Sequence, residues 1–217
     1  LPNILVVLIM RGNKTIIPNG KVRIKENDIL VITDEIYESL CYSDYYSVAQ
    51  CTDIKDKVIY VGGFSKMFSM TGLRVGYFAA EKKLMDEIMK VHQYNVSCAA
   101  SICQWAALEG LKNGLHDVEH MRNVFSERKD YVITELRNMG LEVNEPKGAF
   151  YVFPSIKKFN MSSEEFCLRL LSEEKIACVP GSAFGTGGEG YIRISYCYSM
   201  EELKKALLGL KKFINKL

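Results

Sequence analysis

Proline is scarce in this chain, 5 among 217 residues, and there is a single tryptophan. With no Pro/Gly/Ser-rich stretch and no internal repeat, the sequence offers no linker or low-complexity segment. No apolar run approaches the ~20 residues that span a bilayer. The opening LPNILVVLIMRG has no basic region before it and no small-residue cleavage site after it, so it does not read as a signal peptide. Neither sign of charge dominates. Lys and Arg total 28 against 26 Asp and Glu, a net +2, which gives no footprint for nucleic acid or a membrane surface. Seven cysteines without C-x-x-C or regular spacing argue against a zinc ribbon or a disulfide scaffold. The expectation is a reduced, cytoplasmic protein whose thiols pack as small hydrophobes. At 48% hydrophobic and 25% charged, the composition is that of a globular chain of one to two domains.

What is present is an α/β pattern. Residues 1–32 alternate apolar runs with turn signals, which predicts a small β meander with Asn19-Gly20 as a hairpin turn. ILVITD (29–34) and KVIYVGG (57–63) are β-branched runs suited to strands buried on both faces, and VGYFA (75–79) is a third candidate. Leu84, Met85, Ile88 and Met89 form a helical stripe over 82–92, and Ile102, Trp105, Ala106 and Leu108 continue one over 99–112. A longer helix is predicted from 116 to 139, stopped by Gly140. LEVNEPKGAFYVF reads as two short strands around Pro146 and Gly148. IACVP and YIRISY are strands on either side of the glycine-rich 181–190. Ser162 with Glu165, and Ser199 with Glu202, are capping boxes that open the last two helices.

Two motifs mislead. His116-Asp117-Val118-Glu119-His120 matches H-x-x-E-H and would put both histidines on one helix face. No third ligand has a recognisable spacing, so a solvated helix face is the better reading. Gly185, Gly187 and Gly190 satisfy G-x-G-x-x-G, but a dinucleotide site needs a helix after that loop and here a strand follows.

The chemistry concentrates in Asp34-Glu35-Ile36-Tyr37 and in the stretch from Gly62 through Ser65, Lys66 and Arg74 to Tyr77. An acid at the carboxyl end of a buried strand sits where open α/β sheets bind ligands. A lysine follows a second strand inside a Gly/Ser-rich loop able to offer backbone N–H groups to a phosphate, with an arginine eight residues on to clamp it. One amine, one acid and one phosphate clamp suggest a phosphorylated cofactor held as an imine.

These residues resemble the class I/II (fold type I) PLP-dependent aminotransferases, with D-E-I-Y and G-F-S-K-x-F-x-M-T-G-x-R-x-G-Y in order over about 33–217. PKGAFYVF, VPGSAFG and YIRISY resemble the family's small-domain segments. The resemblance implies pyridoxal 5'-phosphate bound to Lys66 as a Schiff base, with Lys66 then serving as base and acid. It implies Asp34 on the pyridinium nitrogen, Tyr37 on the phenolic oxygen, and Arg74 with Ser65 on the phosphate. Gly63 stands where some members carry a further phosphate-binding serine. Arg193 would grip the substrate α-carboxylate in a fork that lysine cannot copy.

The chain also departs from that family. Only 33 residues precede Asp34, where the family has a longer stretch carrying a phosphate turn, a stacking aromatic and N-P-x-G; Pro18-Asn19-Gly20 has the order reversed. Residues 1–32 instead resemble an RCK/TrkA-C regulatory domain, through a strand, R-G-N-K-T-I-I-P-N-G and K-E-N-D-I-L-V-I. The expected architecture is α/β in three parts: a β-rich 1–32, a partial PLP-binding large domain over 33–118, and a small C-terminal domain over 119–217. A truncated large domain would leave sheet edges unpaired and an apolar face uncovered. The function implied is transamination between an amino acid and a 2-oxo acid by a cytoplasmic homodimer, with no nucleic-acid or membrane partner and no metal. The alternatives are a PLP-dependent lyase, an inactive fragment, and an RCK-like regulatory module.

Overall fold

A computed structural model describes residues 6–9 (backbone only), 24 and 29–217 of the chain. Two compact units divide it, Leu1–His120 and Met121–Leu217.

The first unit is built on a four-stranded sheet in the order β1 (Val6–Ile9), β2 (Leu30–Asp34), β3 (Val58–Gly63), β4 (Gly76–Ala79). β1 pairs parallel with β2, in the register Val6↔Leu30, and β2 pairs parallel with β3, in the register Asp34↔Val61. β4 runs antiparallel to β3, with Gly62 opposite Tyr77. The parallel β1–β2 pair corrects the expected meander, since adjacent parallel strands need a crossover that no hairpin provides. The Asn19-Gly20 turn lies outside the described residues. Along β2 the β-branched side chains alternate, with Val31 and Thr33 fully buried. Val31 packs with Ile24, Ile29, Val48, Cys51, Ile54 and Val58 in one apolar cluster.

A single helical turn, α1 (Phe64–Met67), follows β3; α2 (Lys82–Asn95) and α3 (Ser101–Asn113) follow β4. α2 buries no residue completely. α3 presents Ala107 and Gly110 inward, and a Cβ on Gly110 would sit 2.8 Å from the Phe68 ring. The expected stripe through Ile102, Trp105 and Leu108 therefore points outward, at 78%, 69% and 37% exposure. Small residues win the inner face because only they let the helix close on Phe68.

α4 (Leu115–Asn138) starts in the first unit and continues into the second, ending before Gly140, which takes φ +72°. The second unit holds a three-stranded antiparallel sheet in the order β5 (Tyr151–Val152), β7 (Ile192–Ser195), β6 (Val179–Pro180). Only one strand forms in the segment read as two, the other position being the single bridge Val143↔Pro154. α5 (Ser163–Glu174) and α6 (Met200–Ile214) bury Phe166, Leu170, Leu207 and Phe213, with the Phe166 and Phe213 rings edge to face at 5.1 Å. Ser199 and Glu202 form a reciprocal capping box on α6. On α5 the Ser162 hydroxyl accepts from the Glu165 N–H, so that cap rests on the serine.

Candidate active site

β2 and β3 run side by side in parallel, β3 continuing two residues past the Asp34↔Val61 pair, so the residues past each strand lie at the carboxyl edge of the sheet. Asp34 is the last residue of β2. Its Oδ1 accepts from the Ile36 N–H at 3.2 Å, a turn that swings the chain off the strand. Tyr37 stands at the start of the next turn, and the Lys66 ammonium lies 5.9 Å from its ring centroid. Lys66 and Ser65 sit on α1, directly past β3, and both are half-buried.

Two glycines shape this edge. A Cβ on Gly62 would come within 2.7 Å of the Tyr77 ring, and one on Gly63 within 2.8 Å of Ile36 Cδ1. A side chain at Gly63 would require the end of the Ile36 side chain to shift. Tyr77 stacks on Tyr60 at 5.9 Å and tilts against Phe64 at 5.3 Å. The loop that returns to β4 is strained. Ser69 and Arg74 take left-handed backbone angles, φ 55° and 53°, a conformation that costs a non-glycine residue about 1 kcal/mol and concentrates at functional sites. Arg74 is exposed, and its guanidinium donates to the Thr71 carbonyl at 2.8 Å.

Behind the edge lies a polar layer that motif reading passed over. Glu35 is buried, and its Oε1 accepts from Thr33 and from Ser47, each at 2.8 Å. The Tyr60 hydroxyl donates to Glu38 at 2.9 Å, and burial raises the Glu38 carboxyl above its ordinary pKa. Burial likewise raises the Tyr60 hydroxyl, helped by its hydrogen bonds with Tyr77 and Glu38. The sequence signal for this layer was weak, being a run of tyrosines with no fixed spacing to the acids.

In the second unit Arg193 lies on β7 opposite Val179. Its guanidinium is held between the rings of Tyr151, at 4.4 Å, and Phe184, at 4.7 Å. Arg193 also borders a cavity of about 540 Å³ lined by Phe150, Tyr151, Cys178, Tyr198 and Leu207 among others. The aromatic clamp was missed in the sequence, although PKGAFYVF and VPGSAFG each supply one ring. The loop between β6 and β7 is a pair of 3-10 turns, and Gly181 and Gly188 cross with no room for a Cβ on either.

The two motifs set aside in the sequence lie on α4 and in the loop before β7. His116 and His120 are both exposed on α4, with His116 against Asp117 at 3.2 Å. Among the described residues no three His, Cys, Asp or Glu converge as a metal site. The run Gly185 to Gly190 leads into β7.

A family model for the class I and II aminotransferases matches residues 21–210. This chain belongs to that family. It is 48% identical over 193 residues to a putative aminotransferase, YugH, of Bacillus subtilis, covering 88% of this chain and 50% of that protein. It is 42% identical over 193 residues to an aspartate aminotransferase of Pyrococcus abyssi, covering 87% and 50%. The solved structure of an aromatic aminotransferase from Pyrococcus horikoshii superimposes with a TM-score of 0.93 at 36% identity, covering 98% of this chain and 60% of that one. The chain thus spans about half the length of the curated relatives it matches. The fold is that of the fold type I aminotransferases, present in part. The family is PLP-dependent.

The side chains at the sheet edge fit that cofactor by their donor set. A primary amine, a carboxylate, a phenol and a hydroxyl stand at one end of two parallel strands, on a backbone kept bare by Gly62 and Gly63. Among the described residues no helix is long and apolar enough to cross a membrane.

Proposed function

We propose that this chain carries the cofactor- and substrate-binding residues of a PLP-dependent aminotransferase that moves an amino group between an α-amino acid and a 2-oxo acid. The observation that carries the reading is the approach of Lys66 to Tyr37 beside Asp34, at the end of two parallel strands. When bound, pyridoxal phosphate supplies a sink for the negative charge that develops at the substrate α-carbon.

The chain's residues do the rest. The Lys66 amine would hold the cofactor at its aldehyde carbon until the substrate's amine displaces it there, and the freed amine would then take the α-carbon proton and deliver it to that former aldehyde carbon. The Asp34 carboxylate would keep a proton on the ring nitrogen, as an acid beside a cation does. The Tyr37 hydroxyl would donate to the phenolic oxygen. Ser65 and Arg74 would hold the phosphate, Arg74 with one of its five N–H groups on Thr71 and four left to give. Arg193 binds the substrate carboxylate; its Tyr151–Phe184 clamp orients the guanidinium plane in advance.

On this reading residues 33–118 are part of the cofactor domain and 119–217 the small domain of a homodimer. Its compartment is the cytoplasm, in keeping with seven cysteines that are all thiols. For residues 1–32 the RCK/TrkA-C resemblance rests on the motif alone and falls mostly outside the described residues, and the aminotransferase family model reaches back over 21–32; its test is ion or small-ligand binding by the intact chain, whose absence sinks it.

The central experiment is incubation with pyridoxal phosphate, a visible spectrum, borohydride trapping and peptide mapping. The label is expected on Lys66 and absent in Lys66→Ala; a label elsewhere sinks the assignment. Amino groups should pass one for one to an added 2-oxo acid, whereas release of a thiol from a sulfur amino acid would mark a lyase.

A further inference from the structure

Phe184, one of the two rings that hold Arg193, rides on a loop with little packing of its own. Residues 182–187 are exposed, and Phe184 itself is 49% exposed. Phe153 meets the Phe184 ring edge to face at 5.4 Å but is 37% exposed. Burial therefore does little to keep Phe184 over the guanidinium, so the backbone that carries the ring has to place it.

That backbone is tied to α5 by one carboxylate. The Ser182 carbonyl accepts from the Gly185 N–H at 3.1 Å, which closes the turn bearing Phe184. The Ser182 N–H donates to the Ser163 hydroxyl at 3.3 Å, and the two hydroxyls lie 3.2 Å apart. Ser163 is the first residue of α5 and is fully buried. Glu189, at the far end of the loop, takes both of its donors. The Ser163 N–H donates to Oε1 at 2.7 Å and the hydroxyl to Oε2 at 2.9 Å. A hydroxyl has one proton, and the shorter, charge-assisted bond claims it, so Ser163 Oγ accepts from Ser182. The bonds from Ser163 also hold the Glu189 carboxyl below the usual carboxylate range.

The loop keeps other ties. The Gly181 N–H donates to the Tyr191 carbonyl at 2.8 Å, and Gly181 and Gly188 cross, both without help from Glu189. The α5 cap belongs to Ser162. Loss of the Glu189 carboxylate thus leaves the neck of the loop and the cap in place and frees the path from α5 to Phe184.

We infer that Glu189 is a positioning residue for the carboxylate site: through Ser163 and Ser182 it holds the loop that lays Phe184 on Arg193. The inference rests on Arg193 as the residue that binds the substrate carboxylate. Without Glu189 the guanidinium keeps Tyr151 on one side only, and the carboxylate must order what the loop no longer does.

The test is NMR of the Arg193 Nε–H group in the 217-residue chain, its signal identified by its loss in Arg193→Lys. Protons over ring faces shift upfield, and two rings flank this group. Glu189→Ala and Ser163→Ala should each remove the part of that shift that Phe184→Leu removes. Both should weaken binding of pyruvate, a simple 2-oxo acid, about threefold, the worth of one exposed cation–π contact. Ser162→Ala frays the same end of α5 without removing a bond to the loop, and should change neither readout. An unmoved signal in Glu189→Ala overturns the inference, and so does an equal change in Ser162→Ala. A parent chain whose Arg193 signal ignores pyruvate is a different result: it overturns the substrate role of Arg193, and the inference falls with it.

Discussion

The two units spend their apolar residues differently. In the second, α5 and α6 turn Phe166, Leu170, Leu207 and Phe213 inward, and the rings of Phe166 and Phe213 close on each other. In the first, α2 buries no residue completely and α3 buries only Ala107, while Trp105 and Tyr94 are 69% and 88% exposed. Both units have helices of similar length; they differ in whether the chain itself supplies a second layer. A two-layer core stands on its own, whereas the described helices that follow β4 bury little of their own surface against the first sheet.

The sharpest way to break this contrast is a pair of truncations. Phe213→Ala should cost the second unit about 3–5 kcal/mol, because it empties a fully buried site. Trp105→Ala, larger in atoms removed, should change stability by less than about 0.5 kcal/mol in the isolated chain. Urea unfolding of both variants decides it, and similar losses would mean that α3 is covered after all.

A finer contrast lies within the second unit. Ser199→Ala removes the hydroxyl half of a capping box and should cost about 1 kcal/mol, whereas Glu202→Ala removes the return bond from the Ser199 N–H and should cost less. No loss in thermal unfolding of Glu202→Ala would show that the return bond contributes nothing.

The smallest expected effect is a pH dependence. Burial raises the Cys178 thiol to about 12, with nearby Cys167 adding to it, and burial raises Cys167 to about 11. Both folded values lie above the ordinary 9.0, so the unfolded chain loses these protons first. The stability they contribute is complete below pH 9 and falls as pH rises from 9 toward 12. Cys178→Ala should flatten that slope in unfolding measured from about pH 8 to 11, while a slope unchanged would place its origin elsewhere.

The sequence was most legible where the cause is local. Gly140 stops α4 because its φ is positive, and Ser199 opens α6 through contacts within four residues. Asp34 and the Lys66 loop could be placed at strand ends because β-branched runs stop there. Pairing was less legible. Nothing in ILVVLIM reveals that Val6 lies parallel to Leu30, because that choice is made across more than twenty residues. Periodicity also misjudged α3: it found the apolar spacing through Trp105 but could not tell which of several apolar sides would meet Phe68. At Arg193 the residue was visible and its clamp was not, since Tyr151 and Phe184 arrive from distant segments.

The crossing of Gly181 and Gly188 bears on how this chain can vary by descent. Each glycine occupies the space that the other's side chain would need. A change at one therefore cannot be rescued by a change at the other, because no smaller residue exists to give way. In a library randomised at both positions, only the parental pair should survive selection for a folded second unit. Between them the exposed Thr186 and Gly187 should meanwhile accept most replacements, whereas Gly185, at φ +102°, should not.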